Sequence, residues 1–145
     1  MNKHEAMMAY FKPIVEEITG EPLEFNFSST APEGVALMTE YSDRYVRRYV
    51  HGGGIKAYGF RIIWTKAYST DHDDLNLEAM SFAQDFMDAI ELKNKSENFP
   101  KFPENCSVQR IEVLQNMPNL AGINEAQSLA RYQIPGQIIY FESED

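Results

Sequence analysis

Four stretches of the chain contain residue types that chemistry uses. His51-Gly52-Gly53-Gly54 matches the HGGG loop with which some lipases and esterases build an oxyanion hole. That use needs a serine on a G-x-S-x-G elbow, and no serine here has that context. Asp71-His72-Asp73-Asp74 offers metal-ligand types. Calcium loops spread their oxygens over about twelve residues and close with a glutamate, a spacing that Glu78 does not meet. Zinc would want further His or Cys ligands, and His4, His51 and Cys106 are remote in sequence. Cys106 has no base beside it in the sequence, so a plain thiol is the simpler reading. Gly52 to Gly54 also lack the G-x-x-x-x-G-K-[ST] pattern that cradles phosphate. These residues predict no catalytic, metal or cofactor site, and a protein that is not an enzyme.

The fourth stretch, Tyr41 to Lys66, is rich in tyrosine and arginine. It holds Tyr45, Arg47, Arg48 and Tyr49 just before Gly52, Gly53 and Gly54. Arginine pairs with carboxylates, stacks on rings and is favoured at protein interfaces. Two uses follow: cross-strand pairs on a solvated sheet face, or contacts between subunits. The same rings could stack single-stranded bases.

The flanking segments alternate. Tyr41, Tyr45 and Tyr49 share one face of an extended strand, with Val46 and Val50 on the other. On the return, Tyr58, Phe60, Ile62 and Trp64 recur at every second residue, which is the mark of one buried face. Glycine tolerates positive φ, so the pattern predicts a long hairpin with its tip at Gly52 to Gly54.

The rest of the chain supplies the cover. Lys3 to Thr19 reads as a helix, with Met7, Met8, Phe11, Ile14, Val15 and Ile18 at helical spacing and Gly20 as its stop. Pro13 should kink or break it. Leu23, Phe25 and Phe27 form a short strand, Ala31 to Gly34 a turn, and Val35, Leu37 and Thr39 a strand leading into the hairpin. After a polar loop over Ser69 to Asp74, Ala79, Phe82, Ala83, Phe86, Met87 and Ile90 mark a helix over Leu75 to Leu92, with Asp73 or Asp74 as cap. Lys93 to Asn105 is a loop whose Phe99 and Phe102 dock on the core. Ser107 to Gln115 is a strand, Met117 to Gly122 a turn, and Ser128 to Phe141 the closing strand. Pro135-Gly136 makes that last element either a hairpin or one long strand bulged or bent at Pro135. The order predicts one α+β domain over residues 1–145: a mainly antiparallel sheet with a long hairpin, packed by an N-terminal helix and a second helix.

Composition narrows the class. The 145 residues are 43% hydrophobic, a folding composition, and the formal charge is −9. That charge argues against non-specific binding to duplex DNA and against an anionic membrane surface. All six arginines fall in the predicted strands, while acidic residues gather in helices and loops. A single cysteine excludes an internal disulfide and fits a reducing compartment. Met1 to Tyr10 lack the apolar core of a signal peptide, and no apolar run approaches a membrane span. A soluble protein, cytosolic when made, is expected.

In this order the features resemble a family of phage minor capsid proteins related to tail terminator, or tail completion, proteins. The likeness lies in Arg48-Tyr49 through Gly52 and the Tyr58-Gly59-Phe60 return, similar to the family's R-Y-x-x-G strand, glycine tip and Y-x-F strand. It continues in the acidic loop with Asn76, in Phe99 to Pro103, and in Pro118-Asn119-Leu120-Ala121 followed by Arg131-Tyr132 through Ile139-Tyr140-Phe141. The resemblance covers most of the chain from Tyr41 onward; Pro135-Gly136 departs from it. It implies a non-catalytic subunit that assembles with itself into a ring, typically of six. Such a ring caps the head-proximal end of the phage tail tube and meets a head connector or completion protein, and DNA passes through without sequence-specific contact. The location implied is the virion, at the tail or head–tail junction. Tyr45, Arg47, Arg48, Tyr49, Gly52, Gly53 and Gly54 are then the expected interface. Two other classes stay open: a small-ligand-binding or enzyme domain on an antiparallel sheet, and a single-stranded nucleic-acid-binding module.

Overall fold

The computed structural model describes residues 2–25, 34–50, 52–67, 72–113, 119–124 and 129–143. Helix α1 spans Lys3–Thr19 and helix α2 spans His72–Lys95. The strands are β1 (Leu23–Phe25), β2 (Gly34–Arg48), β3 (Gly54–Ala67), β4 (Cys106–Val113), β5 (Asn119–Asn124) and β6 (Leu129–Glu142). They form one sheet in the order β1-β2-β3-β6-β4, with β5 also on β6. Among the described residues only the β1–β2 pair is parallel; the other pairs are antiparallel. The expected α+β architecture, a mainly antiparallel sheet with a long hairpin and two packing helices, is the one observed.

One sheet face carries the core. Tyr58, Phe60, Ile62 and Trp64 of β3 pair with Ile138, Gly136, Ile134 and Tyr132 of β6, so the in-phase residues of both strands face the same way. Met7, Phe11, Ile14 and Val15 of α1 and Phe82, Ala83, Phe86 and Ile90 of α2 close over them in one buried cluster. The rings interlock: Phe11 stands 4.7 Å from Phe60, and Trp64 stands 5.9 Å from Phe82 and 5.8 Å from Tyr132. Each fully buried side chain of this kind contributes about 1.5–3 kcal/mol. Phe99 and Phe102 pack on the cluster's edge, as their place between prolines suggested.

The ends of α1 follow their residues. The Asn2 side chain accepts from the Glu5 amide at 2.8 Å, and Gly20 closes the helix at φ 72° by donating to the Glu16 carbonyl. The helix assignment runs unbroken through Pro13.

Several expectations are corrected. Helix α2 starts at His72, so Asp73 and Asp74 lie in its first turn rather than capping it, and it runs on to Lys95. Carboxylates in a first turn still favour the helix, through the positive end of its dipole. Asn119 to Gly122, expected in a turn, belong to β5 and pair with β6. The turn expected at Ala31 to Glu33, the loop residues Ser69 to Asp71 and the tip residue His51 lie outside the described residues.

The closing strand is continuous, and its register against β3 has no bulge at Pro135. On its other side, among the described residues, β4 pairs with β6 from Glu142 to Gly136 and β5 from Gln133 to Leu129. Gly136 is required by contact: a Cβ there would sit 2.5 Å from the Phe60 ring and 2.8 Å from the Glu112 carbonyl oxygen.

Candidate interaction surface at the hairpin end

The hairpin closes where sequence placed it. The Gly52 amide donates to the Tyr49 carbonyl at 3.2 Å, and the Tyr49 amide donates to Gly53 at 3.1 Å. Gly52 and Gly53 take φ of 92° and 70°, open to glycine at little cost. Gly53 is also a close approach, since a Cβ there would lie 2.5 Å from the Glu142 carbonyl oxygen. Gly54 pairs with Arg48 on one side and Glu142 on the other, so the tip is flush with the end of the sheet.

Strand β2 is not regularly pleated as it reaches the tip. Its register against β3 slips between Tyr41 and Tyr45 and again between Tyr45 and Arg47. Such bulges reverse which side chains share a face. Tyr45 turns to the helix-covered side, where Lys56 Nζ lies 4.6 Å from its ring centroid. Tyr49 goes to the other side, with its ring 6.0 Å from Phe141. The expectation that Tyr45 and Tyr49 share a face is therefore corrected.

Each tyrosine has its own arginine. The Arg48 guanidinium carbon lies 4.7 Å from the Tyr45 ring, and that of Arg47 lies 5.7 Å from the Tyr49 ring. Both arginines are exposed and Tyr45 is half-buried. Around them the tip presents apolar surface: Val46 is 61% exposed, Tyr49 40% and Val50 97%. Gly53 and Gly54 are buried beneath it and Gly52 partly so. Of the seven expected interface residues, Arg47, Arg48 and Tyr49 are exposed at the tip, Tyr45 is half-buried on the helix-covered side, and the glycines shape the turn.

Beneath this surface lies a charged cluster that reading the sequence did not pick out. Lys56, only 4% exposed, and Lys3 of α1 both bind the Glu142 carboxylate, Lys3 at 2.6 Å. The Cys106 thiol donates to the same carboxylate at 3.4 Å. The Tyr45 ring faces Lys56, and the Tyr140 ring centroid lies 5.2 Å from Lys3 Nζ, so aromatic faces temper the second positive charge. Beside them His4 and Tyr58 share a hydrogen bond of 2.6 Å. A signal did exist. Lys56 lies in phase with Tyr58, Phe60, Ile62 and Trp64, and Glu142 in phase with Ile138 and Tyr140. Charges at inward positions of two strands imply a pair.

The cluster keeps Glu142 charged and Cys106 protonated. Burial is the largest influence on Glu142 and would raise its pKa, but hydrogen bonds from Lys3, Lys56 and Cys106 together outweigh it and hold the carboxyl below its ordinary value. Burial, then the hydrogen bond to Glu142, pushes the Cys106 thiol up to about 11. Neither group changes protonation near neutrality. The thiol is a poor nucleophile there, and the cluster pins α1 to the ends of β3 and β6.

Two grooves lie elsewhere. One of about 690 Å³ runs between α1 and α2, with Tyr10, Pro13, Glu17, Asp85, Ala89 and Lys93 among its walls. Another, of about 390 Å³, is lined by Trp64, Lys66, Leu77, Glu78, Phe82 and Asp85, among others. Among the described residues no three His, Cys, Asp or Glu side chains gather as a metal site, and no helix is long and apolar enough to cross a membrane. Compared with the models of known protein families and with curated proteins, the sequence matches none.

Proposed function

We propose that this chain is a non-catalytic structural subunit of a phage tail, a tail terminator (tail completion) or head–tail joining protein that assembles into a ring at the head-proximal end of the tail tube. The observation that carries the reading is the hairpin end. Val46, Tyr49 and Val50 stand exposed beside two exposed arginines, on a turn packed against the strand end that carries the Lys3–Glu142–Lys56 cluster. Aromatic and arginine side chains on a preorganised support are what protein contacts favour. The resemblance in the order of strands, glycine tip and closing strand supports the same role. The net charge of −9 suits a ring around passing DNA, because a negative lumen repels the phosphate backbone and prevents sticking. The partners in this reading are further copies of the chain, six in all, the tail tube protein on one side and a head connector or completion protein on the other. Its place is the virion, reached after assembly in the host cytoplasm.

Light scattering on a sizing column, across a concentration range, tests this. A single closed multiple of the 16.7 kDa subunit is expected. A monomer at every concentration overturns the self-assembling ring. Salt-dependent binding to single strands by that monomer would move the function to the nucleic-acid module.

A further inference from the structure

Two exposed surfaces of this chain are opposite in charge, alike in apolar content and too far apart to meet. The first is the hairpin end, with Val50 and Tyr49 flanked by Arg47 and Arg48. The second is the groove between the end of α1 and the start of α2. Its floor is Trp64 and Phe82, its rim is Leu77, 63% exposed, and its exposed carboxylates are Glu78 and Asp85. The lysine in its wall, Lys66, is engaged with Glu21 at 3.0 Å. Met80, next along α2, is 44% exposed.

The tip adjoins Gly54 at one end of β3, and the groove adjoins Trp64 and Lys66 at the other. The strand has 14 residues, a span of roughly 45 Å at about 3.3 Å per residue. One chain cannot fold its own tip into its own groove. Between two copies the match is direct: a basic, apolar prong meets an acidic, apolar slot. A contact that joins different patches on the two partners is heterologous, and repeating it closes a ring if the rotation per step allows.

We propose that the hairpin end of one copy seats in the α1–α2 groove of the next, with Val50 against Trp64 and Phe82 and with Arg47 and Arg48 facing Glu78 and Asp85. This rests on the ring reading above and names its subunit contact. The occupant is a second copy because charge complementarity is present within the one sequence.

Charge reversal on each side tests it. Arg47→Glu with Arg48→Glu makes both surfaces acidic, and Glu78→Lys with Asp85→Lys makes both basic. Each double variant should self-associate at least about tenfold more weakly than the wild-type chain. An equimolar mixture should regain wild-type association, because acidic tips then meet basic grooves and basic tips meet acidic grooves in alternation. Disulfide capture gives a second measurement in a Cys106→Ser background. Val50→Cys mixed with Leu77→Cys should yield a cross-linked pair, whereas Val50→Cys mixed with Gln109→Cys, exposed on β4, should not.

Wild-type rings with both variants unchanged in mass, or with no Val50–Leu77 capture, overturn this contact and leave the ring reading standing. Two variants that lose association but fail to recover it on mixing also overturn the contact. A wild-type chain that stays monomeric overturns the contact and the ring reading together.

Discussion

Two pairs of cations lie near the hairpin end in space and are used in opposite ways. Lys3 and Lys56 turn inward, share one carboxylate and rest on the Tyr140 and Tyr45 rings. Arg47 and Arg48 turn outward, each laid over a tyrosine. The difference follows from the strands. Lys56 occupies an inward position on a regular β3, where a long stem can be buried if its head finds a partner. The two arginines follow the bulges in β2, where alternation breaks and side chains are directed away from the core. The lysines are paired inside the chain; the arginines stay exposed at its surface.

The strongest way to break this comparison is Glu142→Ala. It leaves Lys56 buried and two ammonium groups without their shared carboxylate, and should cost about 3 kcal/mol of stability, read from urea denaturation. A loss under about 1 kcal/mol would mean that the cluster is not what holds this end together. Gly53→Ala comes next. Its Cβ would press on the Glu142 carbonyl at a φ of +70°, and about 2 kcal/mol should be lost in the same measurement.

The pH dependence sharpens the inward half. The Glu142 carboxyl is held below its ordinary value of 4.5 in the folded chain. The unfolded chain therefore takes up this proton at the higher pH. The stabilisation is complete above about pH 4.5 and is lost as pH falls through the lower folded value. Urea midpoints across this range should fall more steeply for wild type than for Glu142→Gln. The smallest stability change belongs to the outward half. Arg47→Glu with Arg48→Glu should stay within about 0.5 kcal/mol of wild type while association is lost. Equal stability losses at the two sites would erase the distinction.

What could be read from the sequence divides along a similar line. The hairpin, both helices and the core face were legible because periodicity is local: Tyr58 to Trp64 alternate, and Phe82, Phe86 and Ile90 return on one helix face. Gly20 and the glycines at the tip announced their turns by residue type. The fate of Pro135 stayed open because a continuous strand there depends on pairing with β3, which lies far away in the chain. Strand β5 read as a turn because Pro118 precedes it and Gly122 lies within it, and only pairing with β6 makes it a strand. The bulge between Tyr45 and Arg47 moved Tyr45 and Tyr49 to different faces, and nothing in Val46 marks it. The inward cluster joins residues 139 and 86 positions apart, so its members meet only once the sheet exists.

The missing side chain at Gly136 works as a socket. The Phe60 ring fills the space where a Cβ would stand, and Phe60 in turn meets the Phe11 ring of α1. Strand β6 thus seats the first helix through a ring borrowed from β3. Any side chain at 136 would evict that ring and loosen the helix with it.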